Sequence, residues 1–392
     1  MTVVHAPSSS TPDAALPGVD FDLRGVVGIR LLDASPADVA GVERQLGHIR
    51  APLGRQPDLV IRFVDRVESA GPVRLLGIDD AGYTDEAFLL LRSGHRAGVR
   101  IAIPFDRLGA TGTGDEPAEI TCQRGLRVVP HLIAIVNLLA LARGVVPLHA
   151  SSFVHRGAGI LVTGWSKGGK TETLLAALAD GARYVSDEWT YLRPDGTVFG
   201  VPEPIRIWDW QLRQLPRYRA VVGRTARIRL AALRLAADAT RGLAAHDPRQ
   251  RTAPGRLLAR AVPVLARQPW VRIDPARLFG PGGSVEEAPV DRLVLVVSHD
   301  RPGYDVVPAD AGTIVGRMVA SLAYESLDLR AAYLAQRFAF PDRRNRLIDG
   351  LEGEADVLAR AALAHVPAVE VRHPYPFRID RLFAAVSDAT RP

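Results

Sequence analysis

Residues Gly164-Trp165-Ser166-Lys167-Gly168-Gly169-Lys170-Thr171 spell G-x-x-x-x-G-K-T, a string that works only between a strand and a helix. Its surroundings predict both. Gly159–Thr163 is a short apolar run of strand character. Residues from about Gly169 to Leu178 predict a helix, and Gly181 stands where a left-handed cap would end it. Tyr184–Ser186 predicts a second short strand that runs into Asp187-Glu188. Strand, glycine loop, helix, strand is the order of a P-loop nucleotide-binding unit, so the chain is expected to be α/β.

Each fixed position has a chemical reason. Gly164 leaves the strand through a turn that a side chain would obstruct. Gly168 and Gly169 let the backbone wrap closely enough to aim N–H groups at phosphate oxygens. The helix that follows presents its positive end to the same phosphates. Lys170 then reaches the β- and γ-phosphates as a point charge, and Thr171 offers a hydroxyl to Mg²⁺. The expected ligand is therefore a nucleoside triphosphate, taken as ATP, held by the loop from Gly164 through Trp165, Ser166 and Lys167 to Thr171. Lysine usage sharpens the point. Lys167 and Lys170 are the two lysines of a chain whose other cations are arginines, and a compact ammonium does what a planar guanidinium cannot. Lys167 itself is not demanded by the motif: it either adds charge near the phosphates or is a solvated loop lysine.

A P-loop also needs a carboxylate for the metal or for protons. Asp187-Glu188 lies at the carboxyl end of the next predicted strand, where a side chain projects into the ligand crevice. The alternative is a surface acidic turn. His149 precedes the P-loop strand by ten residues. A hairpin between 148–154 and 159–163 would bring it beside the loop; otherwise it is a satisfied polar histidine.

The rest of the 392 residues frames this unit. Apolar residues make up 47% and charged residues 23%, the balance of a soluble globular protein able to bury a large core. No apolar run reaches transmembrane length. The single cysteine, Cys122, excludes an internal disulfide and a cysteine metal cluster, fits a reducing cytoplasm, and is expected to be a small buried hydrophobe. Residues 1–18, rich in Ser, Pro and Ala, read as a disordered tail. Residues 19–145 read as an N-terminal α/β domain, with strands at Val27–Leu32, Asp58–Phe63, Phe88–Leu91 and Val99–Ile103 and helices at Asp38–Ile49 and Val128–Leu141. Residues 146–385 form the P-loop domain, with Leu293–Val297 and Ala368–Val371 as further strands. Ile314–Leu327, Glu354–Ala364 and Arg378–Ala385 read as helices.

Between about 211 and 284 the composition shifts. Arg213 to Arg272 carries about 14 arginines against Asp238 and Asp247, which predicts a helical insertion broken by Pro248, Pro254, Pro263 and Pro269. It is either a solvated helical face or an electrostatic dock for an acidic partner. With Tyr218 and Trp270 as its aromatics, it offers little for stacking nucleic-acid bases, so nucleic acid is an unlikely partner.

From Pro147 to Arg206 the chain resembles the HPr serine kinase/phosphorylase catalytic domain and its wider set of HPrK-like kinases. His149 stands where those proteins carry a histidine before the P-loop strand. Gly169-Lys170-Thr171-Glu172-Thr173 matches their G-K-S/T-E-T continuation. Gly181, Tyr184-Val185-Ser186 and Asp187-Glu188 fill the places of their glycine, short strand and paired acids. Gly200-Val201-Pro202-Glu203-Pro204-Ile205-Arg206 resembles their proline-containing basic segment. The resemblance implies a fold related to phosphoenolpyruvate carboxykinase, ATP with Mg²⁺, and phosphoryl transfer to a hydroxyl of a protein, peptide or small molecule. It further implies Asp187 as general base, Glu188 and Thr171 on the metal, and His149 orienting the carboxylate. Lys170 stabilises the transition state, Glu172 belongs with the nucleotide-binding set, and Arg206 is a candidate for the transferred phosphate. Relatives often assemble, so a homo-oligomer stays open, but the sequence does not set the oligomeric state. The second acid is glutamate instead of aspartate and the later E-x-R-G segment has no counterpart, so the expected acceptor is not HPr. Two other functions stay open: a P-loop NTPase whose acceptor is water, and a nucleotide-sensing regulatory module.

Overall fold

The computed structural model describes residues 18–69, 71–77, 81–92, 99–109, 116–245 and 269–391. The tail expected over 1–18 lies outside them except for Gly18, as do Pro248, Pro254 and Pro263 of the arginine-rich segment. The chain is mixed α/β and divides into two compact units. The first is Met1–Arg143 with Ser326–Asp349, and the second is Gly144–Glu325 with Gly350–Pro392. The first boundary falls close to the expected one at 145/146. The return of Ser326–Asp349 to the first unit has no signal in a linear reading of the sequence.

The first unit is built on an eight-stranded mixed sheet in the order β1-β2-β3-β8-β7-β6-β5-β4. Its strands are β1 (Val19–Leu23), β2 (Val27–Leu32), β3 (Leu59–Val64), β4 (Arg74–Leu76), β5 (Ala81–Tyr83), β6 (Phe88–Arg92), β7 (Val99–Ala102) and β8 (Ala118–Gln123). β2, β3 and β8 run parallel, and their alternating inward residues Ile29, Leu31, Leu59, Ile61, Ile120 and Cys122 are buried. Helix α1 (Pro36–Leu46) starts at a Ser35–Asp38 capping box, which satisfies two otherwise unpaired helix N–H groups. Helix α2 (Leu132–Ala142) is buried along most of its length. The returning segment supplies helix Leu327–Ala339 and Asn345, whose amide donates to the carbonyls of Phe105 and Leu108 at 2.7 Å each.

The second unit is a nine-stranded mixed sheet with a two-stranded ribbon. The main path is β16-β13-β12-β9-β10-β17-β19-β18, with β11 also paired to β9. The ranges are β9 (Val146–His155), β10 (Ala158–Thr163), β11 (Arg183–Ser186), β12 (Trp189–Leu192), β13 (Thr197–Gly200), β14 (Ile205–Trp208), β15 (Trp270–Ile273), β16 (Glu287–Pro289), β17 (Arg292–His299), β18 (Asp305–Ala309) and β19 (Ala368–Pro374). β9 and β10 form the expected hairpin, with Ala150 opposite Thr163. β10 runs parallel to β17, and β17 to β19. β10 (Gly159–Val162) and β17 (Leu293–Val297) are continuous apolar runs, as strands covered on both faces must be. Helix α3 (Lys170–Ala179) lays Leu174, Leu175 and Leu178 over Ile160 and Val162 in one core with Val294, Val296 and Leu382.

The arginine-rich segment is not helical throughout. Helix α4 (Asp209–Gln214) and helix α5 (Arg224–Ala245) occupy its first part, but Trp270–Ile273 returns as β15 and pairs antiparallel with β14. Nor is it only a solvated face: Leu212, Tyr218, Val222 and Leu230 join the core under α3. Buried apolar area of that kind holds the segment to the unit whatever its charge.

Candidate active site

The Gly164–Thr171 loop leaves the carboxyl end of β10 beside β17. Gly164 is tight there, since a Cβ would stand 2.5 Å from the Val296 carbonyl oxygen. Gly169 adopts φ +106°, and its missing side chain leaves room for Leu382. Lys170 is buried with its ammonium turned into the loop, donating to the Gly164 carbonyl at 2.8 Å and the Trp165 carbonyl at 3.2 Å. Burial pushes its pKa down, against the pull of Glu188 and Asp187. Ser166 and Lys167 are exposed at the rim. Trp165 is 54% exposed and packs on Tyr324, itself 51% exposed, with ring centroids 4.9 Å apart.

The acidic pair owes its place to a shared strand edge. One edge of β9 takes β11 along its second half and β12 along its first. Asp187-Glu188 is the kink between them. Glu188 takes φ +63°, uncommon for a residue with a side chain and characteristic of strained functional positions. A buried chain of hydroxyls fixes the kink from behind. Ser152 bonds Ser186 at 2.9 Å, Ser186 bonds Thr190, and Thr190 donates to the Ala150 carbonyl at 3.0 Å.

The two acids then part company. Asp187 is buried, and Thr171 Oγ1 donates toward both its carboxylate oxygens at 3.1 Å. Burial, and then the charge of Glu188, push Asp187 up to about 7. Glu188 leaves 54% of its side chain exposed and meets His149 Nε2 at 3.2 Å. The family resemblance implies Thr171 and Glu188 together on a metal; the structure bonds Thr171 to Asp187 and His149 to Glu188. His149 also meets Glu325 through Nδ1 at 3.2 Å. Two carboxylate acceptors suit an imidazolium with two N–H donors. Burial opposes that charge, but the bonds to Glu188 and Glu325 outweigh it and raise the His149 pKa. The His149 bond in turn holds Glu188 below the usual carboxylate range.

Glu172 and Arg206 make no hydrogen bond to the acidic pair. The Glu172 carboxylate is buried and accepts from Gln211 Nε2 at 2.7 Å, so it ties α3 to α4 instead of facing the loop mouth. Arg206 is exposed on β14 with its guanidinium 4.9 Å from the Trp270 ring centroid, and its charge helps lower Glu188.

Three participants went unrecognised in the sequence. Glu325 sits at the end of helix Ala311–Glu325, 176 positions from His149 in the chain, and no local pattern links them. Glu203 has a buried carboxylate oxygen with no hydrogen-bond partner, and burial together with Glu188 and Asp187 pushes it up to about 8. It lies inside the proline-containing segment quoted above, which was the available signal. His373 on β19 is fully buried, with Nε2 at 2.8 Å from the Gly168 carbonyl oxygen.

Among the described residues no group of three or more His, Cys, Asp or Glu side chains is arranged to hold a metal alone. A hydroxyl and a carboxylate side by side nevertheless suit Mg²⁺, which keeps several waters and takes phosphate oxygens as further ligands. Asp187 and Glu203, whose ionised forms burial and mutual repulsion disfavour, fit the same ion, since a bound cation would stabilise both charges. No family model matches the chain, and no curated protein matches it either. Among the described residues no helix is long and apolar enough to cross a membrane.

Proposed function

We propose that the protein is an ATP-dependent kinase that transfers the γ-phosphate to a hydroxyl acceptor. The observation that carries this reading is the convergence of Lys170 and Thr171, at the start of α3, on Asp187-Glu188 at the β11–β12 kink. The resemblance to HPrK-like kinases supports the same chemistry and a fold of that kind.

Phosphoryl transfer passes through a loose transition state, so positioning and cation stabilisation dominate. Loop N–H groups and Lys170 would hold the phosphates. Thr171 and Asp187 would hold Mg²⁺, which when bound supplies charge neutralisation at the phosphoryl oxygens. Glu188, exposed and backed by His149, takes the acceptor proton. The acceptor oxygen forms its bond to the γ-phosphorus, the bond from that phosphorus to the β–γ bridging oxygen breaks, and ADP leaves with the electron pair. Asp187 and Glu188 thus exchange the parts that the family resemblance alone implied.

The test uses ATP labelled in its γ-phosphate, with Mg²⁺ and a panel of hydroxyl compounds and peptides. Label on an acceptor supports the kinase. Label released wholly as free phosphate points to an NTPase, and label that stays on ATP to a nucleotide sensor. Lys170→Ala is expected to abolish nucleotide binding and turnover; retention of both would sink the assignment.

A further inference from the structure

We propose that Arg206 and Arg272, side by side on the β14–β15 ribbon, form a subsite for an anionic group, phosphate or carboxylate, carried by the phosphoryl acceptor. The inference rests on the kinase reading for the identity of the ligand as an acceptor; binding of an anion at the ribbon can be tested apart from it.

Arg206 and Arg272 are direct register partners. Like charges placed opposite each other in an antiparallel pair are destabilising. The ribbon cannot relieve this by slipping, because Ile205, Ile207, Val271 and Ile273 on its other face are buried in the core, and a one-residue slip would expose them. Both guanidiniums lie over one ring, at 4.9 Å and 5.6 Å from the Trp270 centroid. Stacking of this kind fixes the planar forks without using their N–H donors. Among the described residues neither arginine has a carboxylate partner, and both are exposed. Two oriented forks with open donors match a tetrahedral or planar oxyanion.

The ribbon also stands within electrostatic reach of the acidic centre. Arg206 helps lower Glu188, and Arg272 opposes the rise of Glu203. In this proposal an acceptor anchored there by its anionic group turns a hydroxyl toward Glu188. Its charge is tolerated beside three carboxyl groups because the two arginines offset it.

The experiment is calorimetric titration of the full chain carrying Lys170→Ala, which removes the ammonium of the Gly164–Thr171 loop as a competing partner for anions, while the arginine substitutions below separate the ribbon from the loop N–H groups that remain. The probes are glycerol 3-phosphate, glycerate and glycerol. Both anions are expected to bind and glycerol is not. Adding Arg272→Gln should weaken anion binding at least about 10-fold. Arg272→Lys, which keeps the charge but loses the fork, should recover only part. Arg301→Gln removes an exposed arginine elsewhere in the same unit and should change nothing. Losing a like-charge neighbour should not unfold the ribbon, and melting curves check that. Equal anion binding before and after Arg272→Gln and Arg206→Gln, or no anion binding by the Lys170→Ala protein, overturns the proposal. Failure of the kinase reading shows separately, as absence of heat when Mg²⁺ and ATP are titrated into protein that retains Lys170.

Discussion

Thr171 Oγ1 stands 3.1 Å from each carboxylate oxygen of Asp187, so the hydroxyl at the end of the glycine loop is already matched to one acid of the pair. A hydroxyl beside a buried carboxylate is a half-built site for a hard divalent ion. Asp187→Asn keeps an acceptor for Thr171 but removes the charge. The gain in ATP affinity on adding Mg²⁺ is expected to fall about tenfold, and Thr171→Ala should act in the same direction. Titrating ATP with and without Mg²⁺ measures this; an undiminished Mg²⁺ effect in Asp187→Asn would remove that residue from the metal side.

Glu188 is arranged for a different task. His149 and Glu325 form a chain behind it, at 3.2 Å for each step, while its own side chain opens to solvent. Glu188→Gln should cut phosphoryl transfer by about 10²- to 10⁴-fold, the usual worth of a positioned base, with Mg²⁺–ATP affinity close to that of the parent. Glu325→Gln, acting through His149, should lose less. If Asp187→Asn instead abolished transfer with its Mg²⁺ response intact, the parts would revert to those implied by the family resemblance.

The site was legible to the extent that its chemistry is local in sequence. The loop, its strand and helix, the β9–β10 hairpin and the acidic kink all announce themselves through glycines, apolar runs and short spacings. The pairing of acids to partners was not legible, because adjacent residues on a kink point apart. Only the φ +63° of Glu188 and the shared edge of β9 decide which carboxylate meets Thr171. β14 and β15 were missed for a related reason. Trp208 and Trp270, 62 positions apart, have to pair across α4 and α5, and arginine between β-branched residues looks equally like a helix face. The return of Ser326–Asp349 to the first unit rests on contacts distant in sequence, polar ones of Asn345 and aromatic ones such as Phe105 with Tyr333, which no local pattern links.

His373 supports the loop from beneath. Its Nε2 lies 2.8 Å from the Gly168 carbonyl oxygen, and its ring packs on Phe377 with centroids 4.6 Å apart. A buried donor that fixes a loop carbonyl also fixes the N–H groups on either side of it. His373→Ala leaves that carbonyl without its partner, a loss of roughly 1–3 kcal/mol. The expected result is a higher KM for ATP with kcat little changed, together with a lower Tm. A fall in kcat at unchanged KM would give His373 a part in the chemistry.

Glu203 makes the protein's stability depend on pH in a direction unlike that of most carboxylates. Burial, and then the charges of Glu188 and Asp187, lift it from its ordinary range to about 8. The folded state therefore keeps this proton over a window in which the unfolded chain has released it. Stability falls wherever the folded state binds more protons than the unfolded one. The contribution is full below the ordinary glutamate range, shrinks as pH rises, and levels off above about 8. Glu203→Gln carries no titrating proton there and also relieves Asp187 of a neighbouring charge. The Tm of the parent should drop more steeply between acid and mildly alkaline pH than that of Glu203→Gln, so that the variant becomes the more stable of the two by several degrees on the alkaline side. Differential scanning calorimetry without added nucleotide or metal reads this directly, and subtracting the two curves cancels groups that titrate alike in both. Parallel curves across the whole range would mean that Glu203 keeps its ordinary pKa, and hence that its carboxylate is solvated in the folded protein.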